Sequence, residues 1–256
     1  MKQVEQYSPC IYRRSSPPQL SPPLLVLSPT TFLLSLFRHC WCYHQQFVIG
    51  FFILLFTACA AKPPVEKGNF QKADLVELIK LDPSIKLDIR YATSNNLVHR
   101  PVYTEARAFL QRPAAEALVK VSQSLKPLGY GLLVFDGYRL WSVTKIFWDS
   151  TPTENKQFVA DPKVGSRHNR GCAVDLSLYD LKTGKEIEMT GVFDEMSERS
   201  YANYKGGTEQ QRKMRDLLRS KMEEQGFKVL DNEWWHFDFN NWQVYHITNI
   251  PFSAIR

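Results

Sequence analysis

Two short stretches of the chain carry residues able to do chemistry. The first is Ser166-Arg167-His168-Asn169-Arg170-Gly171-Cys172-Ala173-Val174-Asp175, and the second is Glu233-Trp234-Trp235-His236. Two histidines and one aspartate make a borderline nitrogen and oxygen donor set suited to Zn²⁺, with a fourth position left for water. A glutamate that is not a ligand, held beside that water, is what a metal-assisted hydrolase needs as general base and acid. His168 and Asp175 are seven residues apart, so on one continuous strand they would face opposite sides. A bend at Gly171 removes that difficulty and lets a loop histidine meet a strand aspartate. The aromatic run Trp234–Phe239 favours a strand, which leaves Glu233 at its start, where a bulge or turn can aim it inward. Spacing alone keeps a plainer alternative open, because a lone histidine is more often structural than a ligand and Trp-rich strands are usually core. Four histidines follow Cys59: 99, 168, 236 and 246. His99 and His246 lack an acidic neighbour at a comparable spacing and read as structural or surface residues.

Several elements must position these residues. Leu75–Leu81 and Ile85–Tyr91 are apolar-rich stretches parted by the turn signal Asp82-Pro83-Ser84, and the second alternates as a half-buried strand would. Arg112 to Gly129 reads as a helix, with Pro113 in its first turn and Ala114, Leu118, Val121 and Leu125 on one face. Leu132–Phe135 is a short strand running into Asp136-Gly137-Tyr138-Arg139. Val174, Leu176 and Leu178 alternate with Asp175, Ser177 and Tyr179, and Lys182-Thr183-Gly184 has the look of a hairpin turn. Thr208 and Gln211 have capping-box spacing before a helix with Met214, Leu217, Leu218 and Met222 on one face, closed by Gly226. Strands at Phe227–Leu230 and Trp234–Phe239 complete the set. Helices and strands come in blocks without regular βαβ alternation, so the expectation is one α+β domain over 73–256, a largely antiparallel sheet flanked by helices with the metal site on the sheet.

The N-terminal quarter differs in kind. Residues 1–58 hold Lys2, Arg13, Arg14 and Arg38 against the single acid Glu5, so the formal charge of +6 drops to about +3 for the remainder. So mild a balance gives no support to nucleic-acid binding, which needs a clustered basic face. Cys10, Cys40, Cys42 and Cys59 lie in this quarter and Cys172 alone in the rest, which excludes an internal disulfide framework for the folded part. Residues 1–30 contain six prolines and many serines, a composition that neither packs nor propagates a helix. Residues 47–58 form an uncharged run about 18 Å long as a helix, too short for a bilayer core of about 30 Å but right for a signal peptide. The run ends in Phe56-Thr57-Ala58-Cys59, which resembles a bacterial lipobox with Cys59 as the lipidated residue. Residues 59–72, rich in proline near their start, read as a tether.

Taken together, Ser-x-His-x-x-Gly-x-Ala-x-Asp at 166–175, Asp-Gly-Tyr-Arg at 136–139 and Glu-Trp-Trp-His at 233–236 resemble the VanX-like D-alanyl-D-alanine dipeptidases. Residues 88–96, Phe193-Asp194 and 196–200 extend the likeness, which covers roughly 70–242. The resemblance implies one Zn²⁺ per chain held by His168, Asp175 and His236, with Glu233 as catalytic base and proton donor. It implies that Arg139 stabilises the tetrahedral intermediate, and that Ser166 and Asp194 bind the substrate's termini, Asp194 taking the free ammonium. Tyr91 either lines the site or belongs to the core. Leu140 stands where the family usually has proline, which would loosen the loop that aims Arg139. Leu97-Val98-His99-Arg100 replaces the usual Phe-Thr-Gly run at the pocket rim, and Cys172 reads as a small residue at the bend. The expected protein is a lipid-anchored zinc dipeptidase of the bacterial cell envelope, exported to the periplasmic or outer face of a membrane, cleaving D-Ala-D-Ala or related D-amino-acid dipeptides in wall turnover. The alternatives are a D,D-carboxypeptidase trimming peptidoglycan stems and a non-catalytic wall-binding module. Retention of Glu233 speaks against the module, since a structural zinc has no use for a general base.

Overall fold

The alternating and apolar runs assemble into a five-stranded sheet in a computed structural model that describes residues 61–256. The apolar run, Cys59 and everything before it lie outside the described residues. Strand β1 (Leu75–Glu77) and a one-turn helix α1 (Leu78–Leu81) precede the two-residue β2 (Lys86–Leu87). Strand β3 (Phe109–Gln111) leads into α2 (Arg112–Leu125), and β4 (Tyr130–Asp136) into α3 (Trp141–Ser150). Strand β5 (Ala173–Asp180), helix α4 (Glu209–Glu223), β6 (Phe227–Leu230) and β7 (Glu233–Phe239) follow. The main sheet has the order β2-β4-β5-β7-β6, antiparallel throughout except for the β2–β4 pair, and β1 pairs antiparallel with β3 in a separate ribbon.

Strands β4 and β5 are almost wholly buried, as expected of central strands covered on both faces. Helix α2 presents Ala114, Leu118, Val121 and Leu125 to the core, and Gly129 ends the segment at φ 88°, a conformation open to glycine without strain. Helix α4 carries the full capping box, in which Thr208 accepts from the Gln211 N–H and Gln211 accepts from the Thr208 N–H. Met214, Leu218 and Met222 are buried on it, whereas Leu217 reaches only the edge of the core.

Several expectations need correction. Leu75–Leu81, read only as an apolar-rich stretch, is a short strand followed by one helical turn. The strand expected over Ile85–Tyr91 shrinks to Lys86–Leu87, because it borders the sheet and the chain leaves it for a 3-10 turn at Arg90–Ala92. That departure buries Tyr91 between Phe147 and Phe193, which a continued strand would not do. Lys182-Thr183-Gly184 does turn, with the Asp180 carboxylate accepting from both the Lys182 and Thr183 N–H, but the returning chain pairs only at Tyr179 and Glu186. Helix α3 carried no clear sequence signal. The tether expected over 59–72 is clipped to the domain: the Glu66 carboxylate accepts from the Ile247 N–H at 2.7 Å and pairs with Arg170, and the Gln71 N–H donates to the Val244 carbonyl. Among the described residues no helix is long and apolar enough to cross a membrane.

Three local irregularities aim the functional side chains. The register of β4 on β5 shifts between Val134 and Asp136, which sets Asp136 opposite Asp175. Asp175 in turn pairs with His236 on β7, so these three polar side chains form one row across adjacent strands of the sheet. A second shift, between Val229 and Leu230, brings Leu230 opposite Glu233. Residues three apart on a regular strand face opposite sides, and this irregularity lets Glu233 approach the His236 face. The third is the 3-10 turn His168–Arg170, closed by Gly171 at φ 69°. The turn is stitched to β3 through the Gln111 N–H on the Gly171 carbonyl and the Gln111 Nε2 on the Arg170 carbonyl, both at 2.8 Å. A Cβ at Gly171 would lie 2.5 Å from Leu75 Cδ2 and force a left-handed L-residue. Gly171→Ala should therefore lose more than about 1 kcal/mol of stability. An unchanged urea midpoint would show that the bend does not depend on glycine.

Candidate metal centre

His168, Asp175 and His236 are all buried, and their ligand atoms lie within 4.8 Å of one another. His168 Nδ1 donates to the Gly137 carbonyl at 2.7 Å; a carbonyl only accepts, so that nitrogen holds the proton and Nε2 keeps its lone pair. His236 Nε2 faces Asp238 Oδ1 at 2.9 Å, which by the same logic leaves the lone pair on Nδ1. The two lone-pair nitrogens face each other at 3.1 Å, and Asp175 Oδ1 lies 3.0 Å from His236 Nδ1 and 3.3 Å from His168 Nε2. Three acceptors this close repel unless a cation lies among them. Tetrahedral Zn²⁺ with bonds near 2.0–2.1 Å separates its ligand atoms by about 3.3 Å, so this donor set fits zinc in type, number and spacing. The same demand for positive charge shows in the titration of the groups. Burial opposes a charge on His236, yet Asp175 and Asp238 push it up to about 10. Burial likewise opposes a charge on Asp175, while His168 and His236 hold it well below the usual carboxylate range.

Glu233 stands just outside this set, with its Oε2 3.8 Å from His236 Nδ1. Burial raises its carboxyl to about 7, against the pull of His236. A carboxyl poised near neutrality can both take and return a proton.

Arg139 leaves the end of β4 and lies over the rings of Tyr91 and Phe147. Its Nε donates to Asp136 Oδ2 at 2.8 Å, and its terminal nitrogen reaches Asp175 Oδ2 at 3.4 Å. Asp136 is the residue that sequence reasoning missed. Its other oxygen accepts from the Tyr103 hydroxyl at 2.7 Å and the Gly137 N–H at 2.9 Å, so a buried carboxylate with every bond made fixes the guanidinium. An acid three residues before the key arginine, at the end of a buried strand, was the available signal. The loosening expected from Leu140 does not occur. Leu140 already has φ −57°, the proline value, and the Arg139 backbone is held by its N–H on the His168 carbonyl and its carbonyl on Asn169 Nδ2. Asn169, also unforeseen, ties the two loops together by accepting from the Ser166 N–H and donating to Thr144.

Asp194 sits at φ 64°, left-handed and rare for a non-glycine. Its Oδ1 accepts from the Tyr91 hydroxyl at 3.0 Å, while its buried Oδ2 has no partner among the described residues. Burial, with the nearby charge of Asp175, raises it to about 7 even though Tyr91 works the other way. The alternatives for Tyr91 thus merge: it is a core side chain whose hydroxyl orients Asp194. The Ser166 hydroxyl accepts from the His168 N–H at 3.2 Å. The three ligands, Glu233, Arg139, Tyr91, Asp194 and Ser166 line one cavity of about 230 Å³, walled further by Leu97, Phe147, Gln157–Ala160 and Trp235. Cys172 is buried, with its thiol pushed up to about 12 by burial, so it is an inert filler of the bend. His99 and His246 are exposed and do not line this cavity, as the sequence suggested.

Residues 71–249 match the family model described as D-Ala-D-Ala dipeptidase, of the M15 peptidases. The chain is 33% identical over 181 residues to the D-alanyl-D-alanine dipeptidase of Escherichia coli K12, covering 71% of this chain and 92% of that one. It is 34% identical over 171 residues to the D-alanyl-D-alanine dipeptidase of Enterococcus faecium, covering 60% of this chain and 85% of that one. A solved structure of the D,D-dipeptidase VanXYg with a D-Ala-D-Ala phosphinate analogue aligns with a TM-score of 0.40 and 18% identity, over 70% of this chain and 59% of that one.

Proposed function

This chain belongs to the D-Ala-D-Ala dipeptidase family, and from that premise we propose that it is a zinc metallopeptidase hydrolysing free D-alanyl-D-alanine or closely related D-amino-acid dipeptides. The observation that carries the choice of a free dipeptide is the unpartnered, buried Asp194 oxygen in a cavity of about 230 Å³. In a stem peptide the corresponding nitrogen is acylated and brings no ammonium to Asp194. An ammonium brought to Asp194 completes a bond that the protein leaves unmade.

His168 through Nε2, His236 through Nδ1 and Asp175 would hold the zinc. When bound, zinc supplies a Lewis acid that acidifies water and polarises the scissile carbonyl. Glu233 takes a proton from the attacking water as its oxygen bonds to the carbonyl carbon. The same carboxyl returns the proton to the departing nitrogen as the C–N bond breaks, so the products are two free amino acids. Arg139, already pinned by Asp136, presents fixed positive charge to the oxyanion without reorganising. Asp194 orients the substrate through its ammonium. Initial rates of the zinc-loaded protein on D-Ala-D-Ala and on N-acetyl-D-Ala-D-Ala test this reading. The free dipeptide should be preferred by about 10²-fold or more in kcat/KM. A preference for the acylated peptide would make the protein a carboxypeptidase.

The apolar run 47–58 and the Phe56-Thr57-Ala58-Cys59 ending further support an exported lipoprotein of the cell envelope, tethered through Cys59 and serving wall turnover. In that setting the enzyme meets dipeptide released from the wall outside the cytoplasm. Cys59→Ala should leave the protein unlipidated and released, or held as an uncleaved precursor. Continued incorporation of labelled palmitate after that change would dismiss the anchor.

A further inference from the structure

We propose that Arg167 is a substrate-binding residue that takes the free α-carboxylate of the departing amino acid, making the cavity dipolar to match a zwitterion. The inference rests on the dipeptidase reading above and extends it to the other end of the substrate. A free dipeptide carries two charges, and removing either from water is costly unless a counter-charge meets it. The ammonium has Asp194. Among the described residues, the cations lining the cavity are Arg139 and Arg167, apart from the histidines of the metal centre.

Arg139 is held by carboxylates of the protein, Asp136 at 2.8 Å through Nε and Asp175 at 3.4 Å through one terminal nitrogen, and lies beside the reacting centre, where its remaining donors serve the oxyanion. Arg167 is differently placed. It follows Ser166 and precedes the ligand His168, so its backbone belongs to the 166–171 loop that carries the metal ligand. Its guanidinium lies over the Trp242 ring at 4.8 Å, and its Nε is 3.4 Å from Asp238 Oδ2. Those contacts occupy one face and one edge of the fork. No hydrogen bond from its two terminal nitrogens to the described residues is formed, and the side chain, which lines the cavity, is 45% exposed. A guanidinium steadied on one edge with its terminal donors free is arranged for a carboxylate, which it can hold with two parallel hydrogen bonds. Ser166 beside it adds a hydroxyl.

The two charged ends do not share supports. Asp194 rests on Tyr91, and Arg167 on Trp242 and Asp238, the residue that also fixes the His236 ring. A purely structural reading would make Arg167 no more than a brace for Asp238 and thereby for His236. The two roles separate by substrate and by metal retention.

The test compares zinc-loaded full-length wild type, Arg167→Ala and Arg167→Lys on D-Ala-D-Ala and on D-alanyl-D-alaninamide, which lacks the carboxylate. Zinc retention against a graded chelator is read on the same samples. For wild type, the amide should have a KM at least about tenfold above that of the free dipeptide. Arg167→Ala should raise KM for D-Ala-D-Ala about tenfold or more while changing the amide far less, with zinc retained. Arg167→Lys should recover part of the loss, since it restores the charge without the fork. Equal effects on both substrates, or zinc loss that tracks the loss of activity, would overturn the proposal and leave Arg167 as the Asp238 brace. Should Arg167→Ala fail to fold, Arg167→Lys carries the test: a loss confined to D-Ala-D-Ala supports the proposal, and equal effects on both substrates, or a wild-type ratio of amide to acid near one, overturn it. A wild type inactive on every dipeptide would instead refute the dipeptidase reading.

Discussion

Glu233→Ala should keep about one zinc per chain and lose about 10²–10⁴-fold in kcat. The reason is geometric. Glu233 lies 3.8 Å from His236 Nδ1, outside the cluster of three ligand atoms spaced 3.0–3.3 Å apart, so its removal takes away a proton carrier and leaves the donor set whole. His236→Ala should behave differently and lose metal and activity together. Two donors remain, and the Asp238 carboxylate that fixed the imidazole is left without its partner. Metal content by elemental analysis, set beside kcat on D-Ala-D-Ala, separates the two roles. Equal zinc loss in both variants would move Glu233 into the ligand set and break the assignment of base and acid.

The second large effect belongs to Asp194. Asp194→Asn is the better variant than alanine, because the residue sits at φ 64° and asparagine tolerates that left-handed conformation. The change removes the negative charge while keeping the shape and a hydrogen-bond acceptor for Tyr91. It should lower kcat/KM for D-Ala-D-Ala by about 10²-fold or more, as expected when a desolvated ammonium loses its counter-charge at a cost of roughly 3 kcal/mol. N-acetyl-D-Ala-D-Ala carries no ammonium and should be affected far less. Equal losses on both substrates would make Asp194 a structural residue of its loop. Set beside the Arg167 experiment, the two substrate pairs probe opposite ends of one small molecule.

Much of the site was legible before any coordinates. Histidine, aspartate and glutamate are the residue types that zinc hydrolysis requires, and the Gly171 bend and the strand-start Glu233 were readable from local propensity, whereas the ligand set and the roles of Arg139, Ser166 and Asp194 came from the resemblance of the motifs to a known family. Helices α2 and α4 were equally plain, because periodic apolar faces, a capping box and terminal glycines are local signals. The one-domain α+β plan followed from the blocks in which those elements occur.

What the chain's local pattern could not show was how the row Asp136, Asp175, His236 forms. It depends on cross-strand register, and register is decided by which strands become neighbours and where their ladders slip. Asp136 stayed hidden as a positioning residue for the same reason: its partners Tyr103, Gly137 and Arg139 come from two separate parts of the chain. The short β2 and the buried turn at Tyr91 were misread as a continuous strand, since alternation there satisfied a local rule that long-range packing overrode. Residue types in a linear sequence thus determined which chemistry is available. The tertiary structure alone decided which lone pairs face one another and which carboxylate oxygen is left without a partner, because each depends on groups distant in sequence being held a few ångströms apart.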